Sequence, residues 1–393
     1  MQKALLMCFS DISTDPRPRR TLESLNQVKI KTDLTAYSIC TTIDINSFYL
    51  IKFAEKNVIF RFFKRIRNVL GLLIRLLPIN SKIKNLINAQ RYRISELYDL
   101  LKNNEYDIII VEDIYLLSLA FQIRKNARVM FDAREYYPKQ QEDSLIFNWL
   151  EKPERIRLCQ TYLPQCDHVI TVSPGLSQAY YQEFNVVPHV IRSTPVYQDI
   201  QPQKTDENLF RMVYHGAANR NRQLENMIEV VKQLDERFTL DFYLVSNSNY
   251  IKFLKKQAHT CDRIRFNKPV PFEQIIPMLT NYDIGFFYVE PTTFNLRHCL
   301  PNKLFEFIQA RLLVAIGPSP DMAAIVRQYN CGVVAESFSI HAMVKALDSL
   351  NPDLIDKAKQ NSHRAAKELC FEKEQKKLIK LIFNPSITDT TNG

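Results

Sequence analysis

At 393 residues, 46% hydrophobic and 24% charged, the chain is ordinary globular material, roughly two to three domains by length, and its formal net charge of +10 points to anionic partners. No run of about 18 uncharged apolar residues occurs, which excludes a membrane span, and seven glycines cannot assemble a GxGxxG or a P-loop. The eight cysteines are scattered without a CxxC pair, so they read as buried free thiols in a reducing cytoplasm; no metal site is expected.

The opening MQKALLMCFS has an apolar run too short for a signal peptide and no small-residue cleavage site, and it reads as a first β-strand. The next loop, SDISTDPRPRR, starts a helix, with Asp15 as N-cap and Pro16 at the first helical position. Arg17, Arg19 and Arg20 then crowd a helix end that the macrodipole already makes positive. They form either a solvated basic turn or a site for a phosphate or acidic sugar.

Residues 52–93 concentrate charge. Eleven cations (Lys52, Lys56, Arg61, Lys64, Arg65, Arg67, Arg75, Lys82, Lys84, Arg91 and Arg93) oppose only Glu55, a surplus equal to that of the whole chain. Arg61, Lys64, Asn68 and Arg75 recur at helical spacing opposite Ile59, Phe63, Ile66, Leu70 and Leu77. This is a basic amphipathic helix near residues 53–77, suited to an anionic membrane interface or else to packing on a sheet with its basic side wet. No nucleic-acid-binding module accompanies it.

Strand-like runs alternate with helical patterns along the rest of the chain, the signature of parallel sheets covered on both faces. The first series comprises 4–10, 33–39, 108–112, 127–133, 168–173 and 189–192, and the second 211–216, 240–246, 263–267, 284–289, 312–317 and 332–335. Between them lies the polar, proline-bearing stretch TPVYQDIQPQKTDENLF. Two Rossmann-like α/β domains are expected, 1–200 and 205–370, followed by a C-terminal helix and tail over 371–393 that can return to the first domain.

Ligands of such sheets bind beyond the carboxyl ends of the strands. There HCLPNKLFEF predicts a helix capped by Asn302, with Lys303 in its first turn and Glu306 one turn on. A lysine at a helix N-terminus calls for an anion, and with so few glycines phosphate binding must rest on helix ends, single glycines and cationic side chains.

Several segments resemble glycosyltransferase family 4, a GT-B group common in bacterial capsule, lipopolysaccharide and exopolysaccharide clusters. They are TDPRPRR, FDAREYYP, CDHVITVSPGLSQAYYQEF, YHGAANRNRQLENMIEVVKQL and YDIGFFYVEPTTFNLRHCLPNKLFEFIQARLLVAIGPSPDMAAIV. The resemblance implies two Rossmann-like domains facing a cleft, the GT-B architecture, and transfer of a sugar from a nucleoside diphosphate donor to a polysaccharide or lipid-linked acceptor. The donor would be a co-substrate, with no cofactor or metal, and the enzyme would sit in the cytoplasm, peripheral on the inner face of the membrane.

Carried over residue by residue, the resemblance puts the diphosphate on Lys303 and Asn302 with Arg220 or Arg222, the ribose on Glu306, and a close backbone approach at Gly216. Asp15, Arg17, Arg19 and Arg20 would face the acceptor, and His298, Arg134 and Glu135 the reacting centre. His298 stands where the family often has glutamate in E-x7-E, and Arg134 where it often has histidine. Transfer with retention is implied, and Arg134 beside Glu135 is expected to keep that carboxylate ionised and weakly basic. A nucleotide-sugar epimerase of the same fold and a catalytically inert scaffold in a polysaccharide-assembly complex stay open.

Overall fold

A computed structural model describes residues 2–39, 43–51, 80–245 and 248–384. The basic helix expected near 53–77 lies outside them. The chain divides into two compact units, one of Met1–Ile191 with Gln375–Gly393 and one of Arg192–Glu374. In each, a parallel sheet is built from apolar runs covered by helices, as such sheets require.

The first unit has strands β1 (Lys3–Met7), β2 (Lys31–Ala36), β3 (Ser47–Leu50), β4 (Ile108–Val111), β5 (Arg128–Ala133), β6 (His168–Thr171) and β7 (His189–Val190). Their order is β3-β2-β1-β4-β5-β6-β7, with every pairing parallel. Strand β3 is absent from the sequence reading because its half-exposed SFYL has neither a long apolar run nor clean alternation. The helices are α1 (Pro16–Gln27), α2 (Ser81–Arg91), α3 (Ile94–Leu101), α4 (Leu117–Ile123), α5 (Lys152–Tyr162) and α6 (Pro174–Phe184). Asp15 caps α1 through a bond from the Arg17 N–H, with Pro16 in the first turn, as expected. Leu378 and Ile382, from the helix Phe371–Phe383, join the core around β1.

The second unit has β8 (Phe210–Ala217), β9 (Phe238–Val245), β10 (Ile264–Asn267), β11 (Ile284–Phe287), β12 (Leu313–Ile316) and β13 (Gly332–Val334). They lie in the order β10-β9-β8-β11-β12-β13, again all parallel. Helices α7 (Glu225–Gln233), α8 (Ser248–Ala258), α9 (Ile275–Leu279), α10 (Phe294–Arg297), α11 (Asn302–Gln309), α12 (Pro320–Tyr329), α13 (Ile340–Asp348) and α14 (Pro352–Glu368) connect or flank them. The strand order turns back between β8 and β11, so the loops after these two strands border the crevice where open sheets take ligands. Gly285 fixes how α11 lies on β11: a Cβ there would stand 2.2 Å from the Phe307 ring. Any larger residue would push away the helix that carries Lys303 and Glu306.

Candidate donor site in the second unit and a charged cluster in the first

Gly216, the next-to-last residue of β8, has a φ of +115°, which is glycine territory. That conformation turns the chain so that a Cβ on Gly216 would be 3.3 Å from Lys303 Nζ. Lys303 is the second residue of α11. The N-cap is Pro301, without a side-chain cap bond, so Asn302 begins the helix and does not cap it. The Pro301 carbonyl accepts from the Leu304 N–H at 3.0 Å, and with no side-chain cap the N–H groups of Asn302 and Lys303, which have no partner among the described residues, are left for water or a ligand.

Lys303 is only 8% exposed. Its ammonium lies 5.2 Å from the ring centres of both Tyr214 and Phe287, and among the described residues it makes no hydrogen bond or ion pair. Burial, reinforced by the nearby Arg222 guanidinium, pulls its pKa down to about 7. A cation held in this way gains most from an anion delivered to it.

Arg222 donates to the Tyr214 hydroxyl (3.1 Å) and the Ala217 carbonyl (3.3 Å), which fixes it beside the end of β8. Arg220 lies over the Tyr250 and Phe253 rings. Of the two arginines, Arg222 is thus the one whose charge acts on Lys303. Glu306, one turn along α11 and 4% exposed, lies 3.2 Å from His215 Nε2, out of line for a hydrogen bond, and that nitrogen has no other partner. Glu306 therefore has oxygen lone pairs to offer, and His215 is a neighbour the sequence reading did not assign to the site. His298 Nδ1 lies 2.7 Å from Asp321 Oδ2 at the start of α12, and its ring stands 4.6 Å from that of Phe294. Asp321 was also missed: the 23 residues separating it from His298 carry no motif linking them.

The arginines of the first unit are placed differently from the expectation of an anion site. Arg17 is buried and bidentate on Asp132, both bonds 2.7 Å, and donates to the Ile191 carbonyl at 3.1 Å. Arg19 pairs with Glu23 at 3.3 Å, and Arg20 is half-buried in α1. Arg17 is thus neutralised from inside the unit by partners distant in sequence, and Arg19 by a partner one turn along α1. Arg134 does not pair with Glu135. It bridges Asp15 (2.5 Å) and Glu112, which also accept from Ser10 and Thr21 respectively.

Glu135 consequently departs from the low pKa expected of it: burial raises it. Beside it, Asp113, at the end of β4, is pushed up by burial to about 6 while accepting from the Tyr115 N–H. Asp113 stands in the VEDIY loop at the switch point between β1 and β4, a position signal that could have singled it out. Among the described residues, no group of histidines, cysteines and carboxylates could hold a metal ion, and no helix is long and apolar enough to cross a membrane.

No family model and no curated relative matches the chain. Its fold, however, is similar to many solved structures. Sucrose-phosphate synthase from Thermosynechococcus elongatus superposes with a TM-score of 0.72 at 12% identity, covering 97% of this chain and 98% of that one. A Staphylococcus aureus TarM mutant, solved with fondaparinux, alpha-GlcNAc-glycerol and UDP, gives 0.67 at 12% identity, covering 98% and 100%. Anabaena HepE, in complex with UDP and glucose, gives 0.66 at 11% identity, covering 97% and 99%. At such identities the likeness speaks for architecture, and the architecture is that of the GT-B glycosyltransferases: two parallel-sheet α/β domains.

Proposed function

We propose that the protein is a glycosyltransferase that moves a sugar from a nucleoside diphosphate donor to a polysaccharide or lipid-linked acceptor in surface-polysaccharide assembly. One observation carries the reading: Lys303, a buried ammonium without an ion pair among the described residues, stands at the N-terminus of α11 against the positive-φ Gly216. A donor diphosphate seated there meets Lys303, Arg222 and the free N–H groups of α11 together. Glu306 accepts from the ribose diol, and His298, held by Asp321 in the turn that leads into α11, would face the sugar. As the bond to the anomeric carbon breaks, negative charge grows on the departing diphosphate, and these fixed cations and dipoles stabilise it without reorganising. UDP in the TarM and HepE structures supports a donor of this class.

Retention is proposed with it, the leaving diphosphate assisting the incoming hydroxyl on the same face. The charge concentrated in residues 52–93 supports a cytoplasmic enzyme held peripherally on an anionic membrane, where a lipid-linked acceptor would be found.

The test is calorimetry with nucleoside mono- and diphosphates, combined with turnover assays over a panel of nucleotide-sugars with and without acceptors. Lys303→Ala is expected to cost roughly 1.5–3 kcal/mol of diphosphate affinity and less for the monophosphate. Unchanged diphosphate affinity in the variant rejects the phosphate role. Donor turnover without any acceptor identifies an epimerase, and nucleotide binding without turnover an inert scaffold.

A further inference from the structure

The chain has a single tryptophan, and it faces outward: Trp149 is 73% exposed, with Leu145 at 77% and Ile146 at 70%. The segment that presents them is anchored. Phe147, between them, is 2% exposed and lies under the Arg155 guanidinium, 5.0 Å from its ring centre. Glu151 accepts from the Tyr115 hydroxyl at 2.6 Å and pairs with Arg91, so the turn Phe147–Glu151 is tied down at both ends before it runs into α5. Three large apolar side chains presented to solvent on so short and anchored a stretch signal a partner.

The neighbouring helix says what kind of partner. α2 lies along α5: Asn85 donates to the Tyr162 hydroxyl at 2.8 Å, Asn88 to Glu154 at 2.6 Å, and Arg91 pairs with Glu151. The outer side of α2 carries Ile83 and Leu86, 49% and 55% exposed, together with exposed Lys82. The sequence leading into α2, residues 52–79, adds Lys52, Lys56, Arg61, Lys64, Arg65, Arg67 and Arg75 against one glutamate. Glu142 and Asp143 precede the apolar triad, so the triad contributes apolar surface, and the positive charge of the chain is concentrated elsewhere in the sequence, in residues 52–93.

We propose that Leu145, Ile146 and Trp149 insert into the interfacial layer of an anionic bilayer and dock the first unit on it. An exposed tryptophan and branched aliphatic residues, on a chain whose positive surplus is concentrated in the sequence of 52–93, match acyl chains beneath anionic headgroups, where an indole keeps its N–H wet and its ring buried. The inference rests on the membrane association proposed above and names the residues that make the apolar contact.

Trp149 is its own reporter. The intact protein is titrated with phosphatidylcholine vesicles, with and without phosphatidylglycerol and with bromine-labelled acyl chains, while emission and co-sedimentation are read together. With the anionic vesicles at low salt, emission shifts to the blue and is quenched by the labelled lipid; with phosphatidylcholine alone it does not. Leu145→Ser with Ile146→Ser weakens vesicle partition about tenfold and leaves UDP affinity unchanged. Sedimentation with unchanged emission overturns the insertion and leaves the membrane association standing. Failure to sediment at low salt removes both. A blue shift that grows with protein concentration in the absence of vesicles assigns the triad to a second copy of the chain and overturns the proposal.

Discussion

Gly216 and Lys303 are fitted to each other: the space a Cβ would take on the glycine is bounded by the lysine ammonium, 3.3 Å away. The glycine's φ of +115° is a conformation that costs other residues about 1–3 kcal/mol. Gly216→Ala therefore acts twice, straining the end of β8 and displacing Nζ from the place where it meets an anion. The expected outcome is a lower melting temperature together with weaker UDP binding. Thermal denaturation and calorimetry on the same samples check it, and a destabilised variant that binds UDP normally would separate the glycine from the phosphate site.

Lys303 also sets a pH dependence. Burial brings its pKa down to about 7, so Lys303 loses its charge as pH rises through the neutral range, and a bound diphosphate, by favouring the ammonium, draws a proton onto the lysine. Above pH 7, UDP affinity should fall by up to about tenfold per pH unit until the pKa of the complex is reached. Titrations in buffers of different ionisation enthalpy should show the uptake, and Lys303→Met should abolish it. For the unliganded fold the sign is opposite. The unfolded lysine holds its proton to about pH 10.4, so between about 7 and 10 the unfolded chain binds more protons and the contribution of Lys303 becomes less destabilising as pH rises.

Arg17 is expected to matter for stability and not for ligands. Its bidentate partner Asp132 is almost fully buried, so Arg17→Ala leaves a carboxylate without its cation, a change that typically costs about 3–5 kcal/mol. Denaturant titration should show that loss, while UDP affinity stays as in the parent. A normal stability with impaired transfer would instead return Arg17 to the acceptor side.

These residues mark where the sequence is legible and where it is not. Continuous apolar runs such as Ile108–Val111 declare parallel strands, and Asp15-Pro16 declares a helix start, because both signals are local. The same local signals led to Lys303 and Glu306, which sit on one helix a turn apart. The pairings of Arg17 with Asp132 and of Arg134 with Asp15 and Glu112 span 115, 119 and 22 residues. Only the strand order β1-β4-β5 brings them together, and nothing in the spacing encodes it. Asn302 looked like a cap because its residue type favours that position, yet Pro301, with its fixed backbone, takes it.

The partners of Arg134 bear on the stereochemistry of transfer. Retention was expected partly because Arg134 would hold Glu135 ionised and weakly basic, but Arg134 is engaged by Asp15 and Glu112. Burial instead raises Glu135 and carries Asp113 to about 6. Two carboxyl groups with raised proton affinity now stand at the carboxyl ends of β4 and β5, and a raised carboxylate is the better general base. The proposed retention therefore needs neither carboxylate: the departing phosphate oxygen, which Lys303 and Arg222 would hold on the same face as the incoming hydroxyl, would take the acceptor proton itself. On that mechanism Glu135→Gln and Asp113→Asn, each nearly isosteric, cost at most about tenfold in turnover, and product NMR shows the donor's anomeric configuration preserved. An inverting enzyme would lose the roughly 10²–10⁴-fold contribution of its base in one of the two variants. A product of inverted configuration with such a loss would make that carboxylate the base and overturn retention.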